Sequence, residues 1–476
     1  MQPTDPDPTR PATRLTRRAV ASVIPYVESW LSFRQRYLRI PGVQAAVLFQ
    51  DELLMSRAYG HADIANDVPL ADDHLFRVAS HSKTFTGTAV LQLVDSGRVR
   101  LDDRLGHWLR FLAEAHAPAA AVTLRELLTH SSGLIRDGAE ADFWQLLEPF
   151  PDVQALRALA LTDTDVIPSN ERFKYSNIAY GLLGLVVEAA SGRPYNDYVT
   201  DEIVRRLGLL NTGPELDPAR SDSYAVGYSS LAYAETRVPI DHVDTRALSA
   251  ATGFYSTAAD LCRYAAAHFP GDERLLSDAA KRVMQHEWWT IEGEDNSHYG
   301  LGFSIIKPDE RRLLGHGGGF PGHITRTLFD PEDRFAVSIL TNAIDGPADD
   351  LSTTVVHLLE LAAKLQAETT PTPGGDRFCG RFANLWGVRD IAQVGDRLLL
   401  LDPTSGTPTK SYNELTVVDD ATLQVAKGPG YAAYGEPMRY SFTTDGQVES
   451  VRGPGGMSWW PLEGYALPGD RVSLRH

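Results

Sequence analysis

The sequence predicts an α+β protein, in which an antiparallel sheet flanked by helices carries a helical lobe and is followed by a separate all-β barrel. Three observations lead there. Strand-like segments occur near the N-terminus and again at residues 299–343, with helical periodicity from about 77 to 210 between them. A Pro/Thr/Gly-rich stretch, residues 368–376, then interrupts the chain as a linker would. Beyond it, at 377–470, short apolar runs recur between Gly, Asp and Pro, the texture of a sandwich or small barrel. Strands from both ends of a domain, with helices inserted between them, close into one sheet covered by those helices.

Taken in order, residues 1–24 read as a flexible lead rich in Pro, Asp and Thr, and a main domain spans 25–367. Basic Arg14, Arg17 and Arg18 precede an apolar run, but Glu28 interrupts that run and no small-residue cleavage site follows it. The segment therefore reads as an amphipathic first helix. Residues 43–63 form two strands around a polar Gln50-Asp51 turn. TFTGTAVLQLVDSG, TLRELLTHSSGL and NIAYGLLGLVVEAASG are helical runs ending in a Gly that suits a C-cap. YGLGFSIIK, RRLLGHGGG, ITRTLFD and FAVSILTNA return to strand character, and a helix follows at about 347–367. In 377–476 the strand candidates are DIAQVG, RLLLLD, NELTVVD, TLQVAKG, MRYSFTTDG and QVESVRG.

Hydrophobic residues make up 43% and charged residues 22%, which excludes a disordered chain and leaves ample material for a core. With 62 acidic against 45 basic residues the net charge is −17, a balance that repels phosphate backbones and anionic lipid. Nucleic acid and membrane are therefore not expected partners, and no window reaches the ~20 apolar residues of a span. Cys262 and Cys379 lie far apart; they fit a cytoplasmic protein with reduced thiols and cannot build a zinc site on their own. No metal or other cofactor is expected.

Ser80-His81-Ser82-Lys83 is an S-x-x-K motif at the start of a predicted helix. Positions i and i+3 share a helix face, so the Ser80 hydroxyl and the Lys83 amine can meet. A serine hydroxyl needs a neighbouring base, and a lysine can serve once burial and nearby cations depress its pKa. The helix N-terminus adds free N–H groups where an oxyanion would develop. The plainer alternative is an N-cap serine beside an exposed lysine. A second copy, Ser304 to Lys307, lies in an alternating strand where i and i+3 face opposite sides, and so serves as an internal control.

Tyr175-Ser176-Asn177 precedes another helix. The Tyr hydroxyl could relay a proton if cationic neighbours lower its pKa, and the Asn amide could accept from Lys83 while donating to a substrate carbonyl. An Asn N-cap beside a packed Tyr is the alternative. His316-Gly317-Gly318-Gly319 sits on a predicted strand, and consecutive glycines there mark a close approach of ligand or backbone, or else a bulge. A lipase-like H-G-G-G oxyanion loop would need a G-x-S-x-G elbow, and the chain has none.

S-x-x-K, Y-S-N and H-x-G, in this order on helix, loop and strand, resemble the motifs of the penicillin-recognising serine hydrolases. That group includes class C β-lactamases, D-alanyl-D-alanine carboxypeptidases, D-aminopeptidases and esterases. FRVASHSKTFTGTAVLQLVDSG, TLRELLTHSSGL, FKYSNIAYGLLG, GFYSTAADLCRY and GHGGGFPGH extend the likeness over roughly residues 25–365. The resemblance implies a β-lactamase/transpeptidase-like fold and an acyl-enzyme on Ser80. It implies that Lys83 and Tyr175 share the proton traffic, that Asn177 orients substrate, and that the oxyanion hole is made by the N–H groups of Ser80 and Gly319, the residue after His316-Gly317-Gly318. The C-terminal module, 377–476, resembles the lipocalin-like barrel of several peptidases of the group, where it restricts access or supports a homo-oligomer. His316 departs from the K-T-G of many β-lactamases, and a partly charged histidine holds a β-lactam carboxylate less well. Small amides or short peptides, D-residues among them, are the expected substrates. Ester hydrolysis, weak β-lactamase activity and a non-catalytic penicillin-binding or assembly scaffold are the alternatives. His323 and Arg326 are expected to be a solvated edge or satisfied hydrogen-bond partners, and Trp288-Trp289 either packing or pocket lining.

Overall fold

The computed structural model describes residues 14–162, 164, 166–308, 311–367, 374–428, 433–467 and 472. The chain divides into two compact units, one containing Arg39–Ser352 and the other Thr13–Leu38 with Thr353–His476.

The first unit is built on a nine-stranded sheet. Its strands are β1 (Gly42–Phe49), β2 (Glu52–Asp63), β3 (Val68–Pro69), β4 (Trp289–Thr290), β5 (Ser297–Tyr299), β6 (Ser304–Ile306), β7 (Leu313–Phe320), β8 (His323–Asp330) and β9 (Phe335–Thr341). Across the sheet the order is β3-β2-β1-β9-β8-β7-β6-β5-β4, every neighbouring pair antiparallel. The expected closure from both ends of the domain is thus the β1–β9 pair, running from Val43↔Thr341 to Phe49↔Phe335. β1 is buried along its whole length, as its apolar sequence requires, with Gln44 satisfied by Ala71 O and His74 O, and the turn to β2 falls at Gln50-Asp51.

Between β3 and β4 lies the helical lobe. The helix Ser82–Asp95 is buried on nearly every side, with Phe85, Ala89, Val90, Leu91 and Leu93 all in the core. The helix Asn177–Ser191 packs beside it. It begins at Ser176, whose Oγ accepts from Ala179 N at 3.0 Å, and ends at left-handed Gly192. These two helices bring their N-termini, and hence the S-x-x-K and Y-S-N motifs, into one place.

The second unit is a closed barrel of β10 (Gly380–Asn384), β11 (Gly387–Val394), β12 (Arg397–Leu401), β13 (Asn413–Asp419), β14 (Thr422–Lys427), β15 (Pro437–Phe442), β16 (Val448–Arg452) and β17 (Ser458–Pro461). β10 and β17, which the sequence reading did not pick out, close the ring through Phe382↔Pro461 and Ala383↔Trp460. Side chains fill its core, among them Phe382, Leu398, Leu423, Met438, Tyr440 and Trp459. The helix Arg17–Tyr37 packs on β11 through an apolar face that includes Tyr26, and it occupies part of the segment expected to be a flexible lead. Residues 368–373 of the expected linker lie outside the described residues.

Candidate active site

Ser80 sits in a single 3-10 turn, Ala79–His81, directly before the helix Ser82–Asp95. Ala79 adopts φ 45°, a left-handed backbone that a side chain disfavours. The turn is held by Ser82 Oγ, which donates to Ala79 O at 2.6 Å and accepts from Phe254 N at 3.0 Å.

Lys83 and Tyr175 converge on Ser80, and Asn177 joins them through Lys83. Lys83 Nζ lies 3.1 Å from Ser80 Oγ, 2.7 Å from Asn177 Oδ1 and 2.8 Å from Ala251 O. Tyr175 donates its hydroxyl to Ser80 Oγ at 2.8 Å. Lys83 is fully buried, and this desolvation holds its pKa well below the ordinary lysine value; Asp137 opposes the effect and Arg136 reinforces it. A neutral amine has two hydrogens and one lone pair. Asn177 Oδ1 and Ala251 O can only accept, so they take both hydrogens and leave the lone pair for the Ser80 hydroxyl. Tyr175 behaves differently from the sequence expectation. Burial pushes its pKa up, and the lowering influence of the Ser80 hydrogen bond and of Arg136 does not overcome it. Tyr175 therefore stays protonated and acts as a donor. Ser176 takes the N-cap role, which leaves the Asn177 side chain free to face Lys83.

The second S-x-x-K behaves as a control should. Ser304 Oγ donates to Gly315 O at 3.1 Å, while Lys307 pairs with Glu287 at 2.8 Å.

β7 approaches the Ser80 turn edge-on. β6 pairs with β7 only over Leu313–Gly315, so the residues beyond, His316 to Phe320, have no strand partner on that side. A Cβ on Gly318 would stand 2.2 Å from Val78 O and 2.5 Å from Thr325 Oγ1, so the strand can come this close only with glycine there. A Cβ on Gly319 would meet nothing nearer than Ile324 Cδ1 at 3.6 Å. His316 is buried; its Nδ1 donates to Gly317 O at 2.6 Å and its Nε2 accepts from Tyr299 OH at 3.0 Å. Burial, helped by Lys83, holds its pKa well below the usual histidine value. His316 is thus neutral, where the sequence had suggested partial charge.

Two residues that the sequence reading passed over also belong here. His130, within the quoted TLRELLTHSSGL, lays its ring 4.2 Å from that of Tyr175, and its Nδ1 accepts from Ser176 N at 3.1 Å. Asp137 accepts from Asn177 Nδ2 at 2.6 Å. No motif marks Asp137, because its partner lies a whole loop away in sequence. His323 corrects an expectation: it is neither a solvated edge nor a satisfied partner. It is fully buried against Phe76 and His242, and neither ring nitrogen has a hydrogen-bond partner. Arg326 is likewise largely buried and pairs with Asp349 at 3.1 Å. Trp288 packs against His286 and donates to Val283 O at 3.0 Å. Among the described residues no group of three or more His, Cys, Asp or Glu could hold a metal ion, and no helix is long and apolar enough to cross a membrane.

The profile of the Beta-lactamase family matches residues 31–362, which carry every one of these groups. The chain belongs to the beta-lactamase family. Among relatives of this family member, Penicillin-binding protein 4* of Bacillus subtilis is 29% identical over 306 residues, 61% of this chain and 66% of that protein. Matches to Beta-lactamase-like protein 2 of Dictyostelium discoideum (30% identical) and Protein flp of Staphylococcus aureus (26% identical) cover 46% and 40% of this chain and 41% and 38% of those proteins. The fold is shared with the octameric penicillin-binding protein homologue from Pyrococcus abyssi (TM-score 0.63, 20% identity), over 90% of this chain and 95% of that one. A D-stereospecific amidohydrolase from Streptomyces (TM-score 0.59, 22% identity) covers 71% of this chain and 98% of its own. EstCE1, a hydrolase with promiscuous acyltransferase activity (TM-score 0.62, 23% identity), covers 71% and 99%. This beta-lactamase-family chain thus has the β-lactamase/transpeptidase-like fold, with a closed eight-stranded C-terminal barrel where the sequence led us to expect one.

Proposed function

We propose that this chain is a serine hydrolase that works through an acyl-enzyme on Ser80, with small amides or short peptides as substrates, D-residues among them. The observation that carries the reading is the placement of Lys83 Nζ, 3.1 Å from Ser80 Oγ and within reach of two acceptor-only neighbours that can take its hydrogens. In this scheme Lys83 takes the Ser80 proton as Oγ attacks the substrate carbonyl. The oxyanion is held by the N–H groups of Ser80 and Gly319, and losing one such donor typically costs about 10²–10³ in rate. Tyr175 hands its proton to the leaving nitrogen and recovers the one that Lys83 took from Ser80, which leaves the amine neutral again. Asn177 holds Lys83 with its carbonyl oxygen and orients substrate with its amide. Water then attacks the acyl-enzyme, with Lys83 again as base.

The amide reading draws support from the amidohydrolase neighbour. Ester cleavage is the second reading, in keeping with the hydrolase neighbour EstCE1; on β7 a neutral His316 offers no cation for a β-lactam carboxylate. The same feature argues against efficient β-lactamase activity. A cytoplasmic setting is in keeping with the two unpaired thiols, Cys262 and Cys379. A homo-oligomer is in keeping with the octameric homologue, and light scattering on the purified chain would test it.

Intact-mass spectrometry with a fluorescent penicillin, alongside turnover of p-nitrophenyl acetate, tests the catalytic reading. Wild type should form an adduct or turn over the ester, and Ser80→Ala should do neither while melting at an unchanged temperature. Hydrolysis that survives in Ser80→Ala would overturn the assignment. Wild type that neither reacts nor turns over would favour the non-catalytic scaffold.

A further inference from the structure

Lys83 can act as a base only if the Asn177 amide points the right way. An amide turned by 180° would present Nδ2, a donor, to Lys83, and the amine's lone pair would be drawn toward that donor instead of toward Ser80. Within the Lys83–Asn177 contact nothing forbids the turn. The constraint comes from the other side of Asn177, where Asp137 Oδ1 lies 2.6 Å from Nδ2.

We propose that Asp137 is a positioning residue: by accepting from Asn177 Nδ2 it fixes the amide with Oδ1 toward Lys83, and so keeps the lysine lone pair on the Ser80 hydroxyl. The inference rests on the Ser80 acyl-enzyme reading and deepens it.

Several independent contacts make Asp137 suited to this. Its side chain is 12% exposed, and the same Oδ1 also accepts from Trp144 Nε1 at 2.9 Å, a group that can only donate. Its Oδ2 faces Arg136 Nε at 3.2 Å. The backbone leading to it is fastened to the start of the Asn177 helix, because Ile135 O accepts from Ser176 Oγ at 2.6 Å and Arg136 O accepts from Asn177 N at 2.8 Å. The carboxylate and the amide it orients are therefore held as one piece, the arrangement by which a supporting shell locks a reacting group.

Asp137 also carries charge toward Lys83. Around the amine stand Ser80 from the 3-10 turn, Tyr175 and Tyr180 beside and within the Asn177 helix, His130 from the preceding loop, His316 from β7, and Arg136 with Asp137. Both histidines are held neutral and both tyrosines protonated by burial. The remaining charges are Arg136, which favours the neutral amine, and Asp137, which favours the protonated one. Removing the carboxylate should therefore make Lys83 lose its proton at lower pH, even as the amide loses its anchor.

The test compares Asp137→Ala and Asp137→Asn, each alone and with Asn177→Ala, using p-nitrophenyl acetate turnover across pH. Asp137→Ala should lower kcat by about ten- to a hundredfold, the scale of losing a hydrogen bond to a charged group, with KM changed much less. Asp137→Asn can still accept through its amide oxygen, so it should lose less than Asp137→Ala. In both variants the acid limb of the rate profile should move to lower pH. In the Asn177→Ala background Asp137→Ala should add little, because the amide it orients is gone. An undiminished kcat in Asp137→Ala, a rise in KM alone, an unmoved acid limb, or an equal loss in both backgrounds would each overturn the proposal. Melting temperatures keep misfolding apart from lost positioning, and Asp137→Asn provides the variant if Asp137→Ala does not fold. If Ser80→Ala abolishes turnover while the Asp137 variants show no effect, this inference fails and the acyl-enzyme reading stands. Turnover that persists in Ser80→Ala removes that reading itself.

Discussion

The chemistry proposed at Ser80 depends on how few hydrogens Lys83 carries. A neutral lysine is a base and a protonated one is not, so activity should rise with pH as the buried amine gives up its proton, and this acid limb should lie well below the ordinary lysine range. Lys83→Arg keeps a cation of similar length but never offers a lone pair at working pH. It should lower kcat/KM by about 10²–10⁴, the usual contribution of a positioned general base, with Lys83→Met losing a similar amount. Steady-state ester hydrolysis checks both, and an active Lys83→Arg would show that the amine is not the base. Each half of this site was legible in the sequence as a motif, because helix periodicity places Ser80 and Lys83 on one face. The protonation states were not, since they follow from burial. Tyr175 shows it best: nearby cations suggested a lowered pKa, yet removal from water outweighs them.

At the scale of elements, one glycine controls how close β7 comes to the Ser80 turn. Gly318→Ala would set a methyl 2.2 Å from Val78 O, in the backbone immediately ahead of the Ser80 turn, so β7 and the turn must part. Turnover should fall by at least about tenfold, toward the 10²–10³ typical of losing one oxyanion donor outright, and the melting temperature should drop with it. Gly319→Ala meets only a side-chain carbon at 3.6 Å and keeps its N–H, so its loss should be far smaller. Kinetics and thermal melts of the pair separate the two positions. The sequence marked this run as a place of close approach without saying what approached; the answer, a carbonyl two residues before Ser80, is a long-range fact. The strands and helices themselves were largely readable, since β1, β9 and the two site helices are apolar enough to announce burial. β10 and β17 escaped because each is short and rich in Gly, Pro or aromatic residues, and only closing the ring makes them strands.

At the scale of the molecule, acid should act unequally on the two units. His81, His130, His242, His268, His316 and His323 all lie in the unit of Arg39–Ser352, and burial lowers the pKa of every one, to about 4 for His81, His242 and His268. Where the folded pKa lies below the unfolded value, the unfolded chain takes up protons first, so stability is full above about pH 6.5 and is lost as pH falls toward 4. Each such histidine steepens the loss by up to about 1.4 kcal/mol per pH unit over that window. In the barrel unit, burial raises the pKa of Asp390, and a raised carboxyl has the opposite sign, contributing most at low pH. Calorimetry from pH 7 to pH 4.5 should show the first unit's transition falling faster than the barrel's; parallel shifts would contradict this. The β1–β9 pair carries a consequence of another kind. Because Val43 must find Thr341 before the sheet can close, a ribosome has to deliver almost the whole first unit before β1 has both neighbours. The Ser80 turn emerges early in synthesis, but the strand edge that completes its surroundings arrives late. A chain broken off before β7 would therefore hold Ser80 without Gly319, the second of the proposed oxyanion donors, and the growing polypeptide should stay inert until translation of the unit is nearly done.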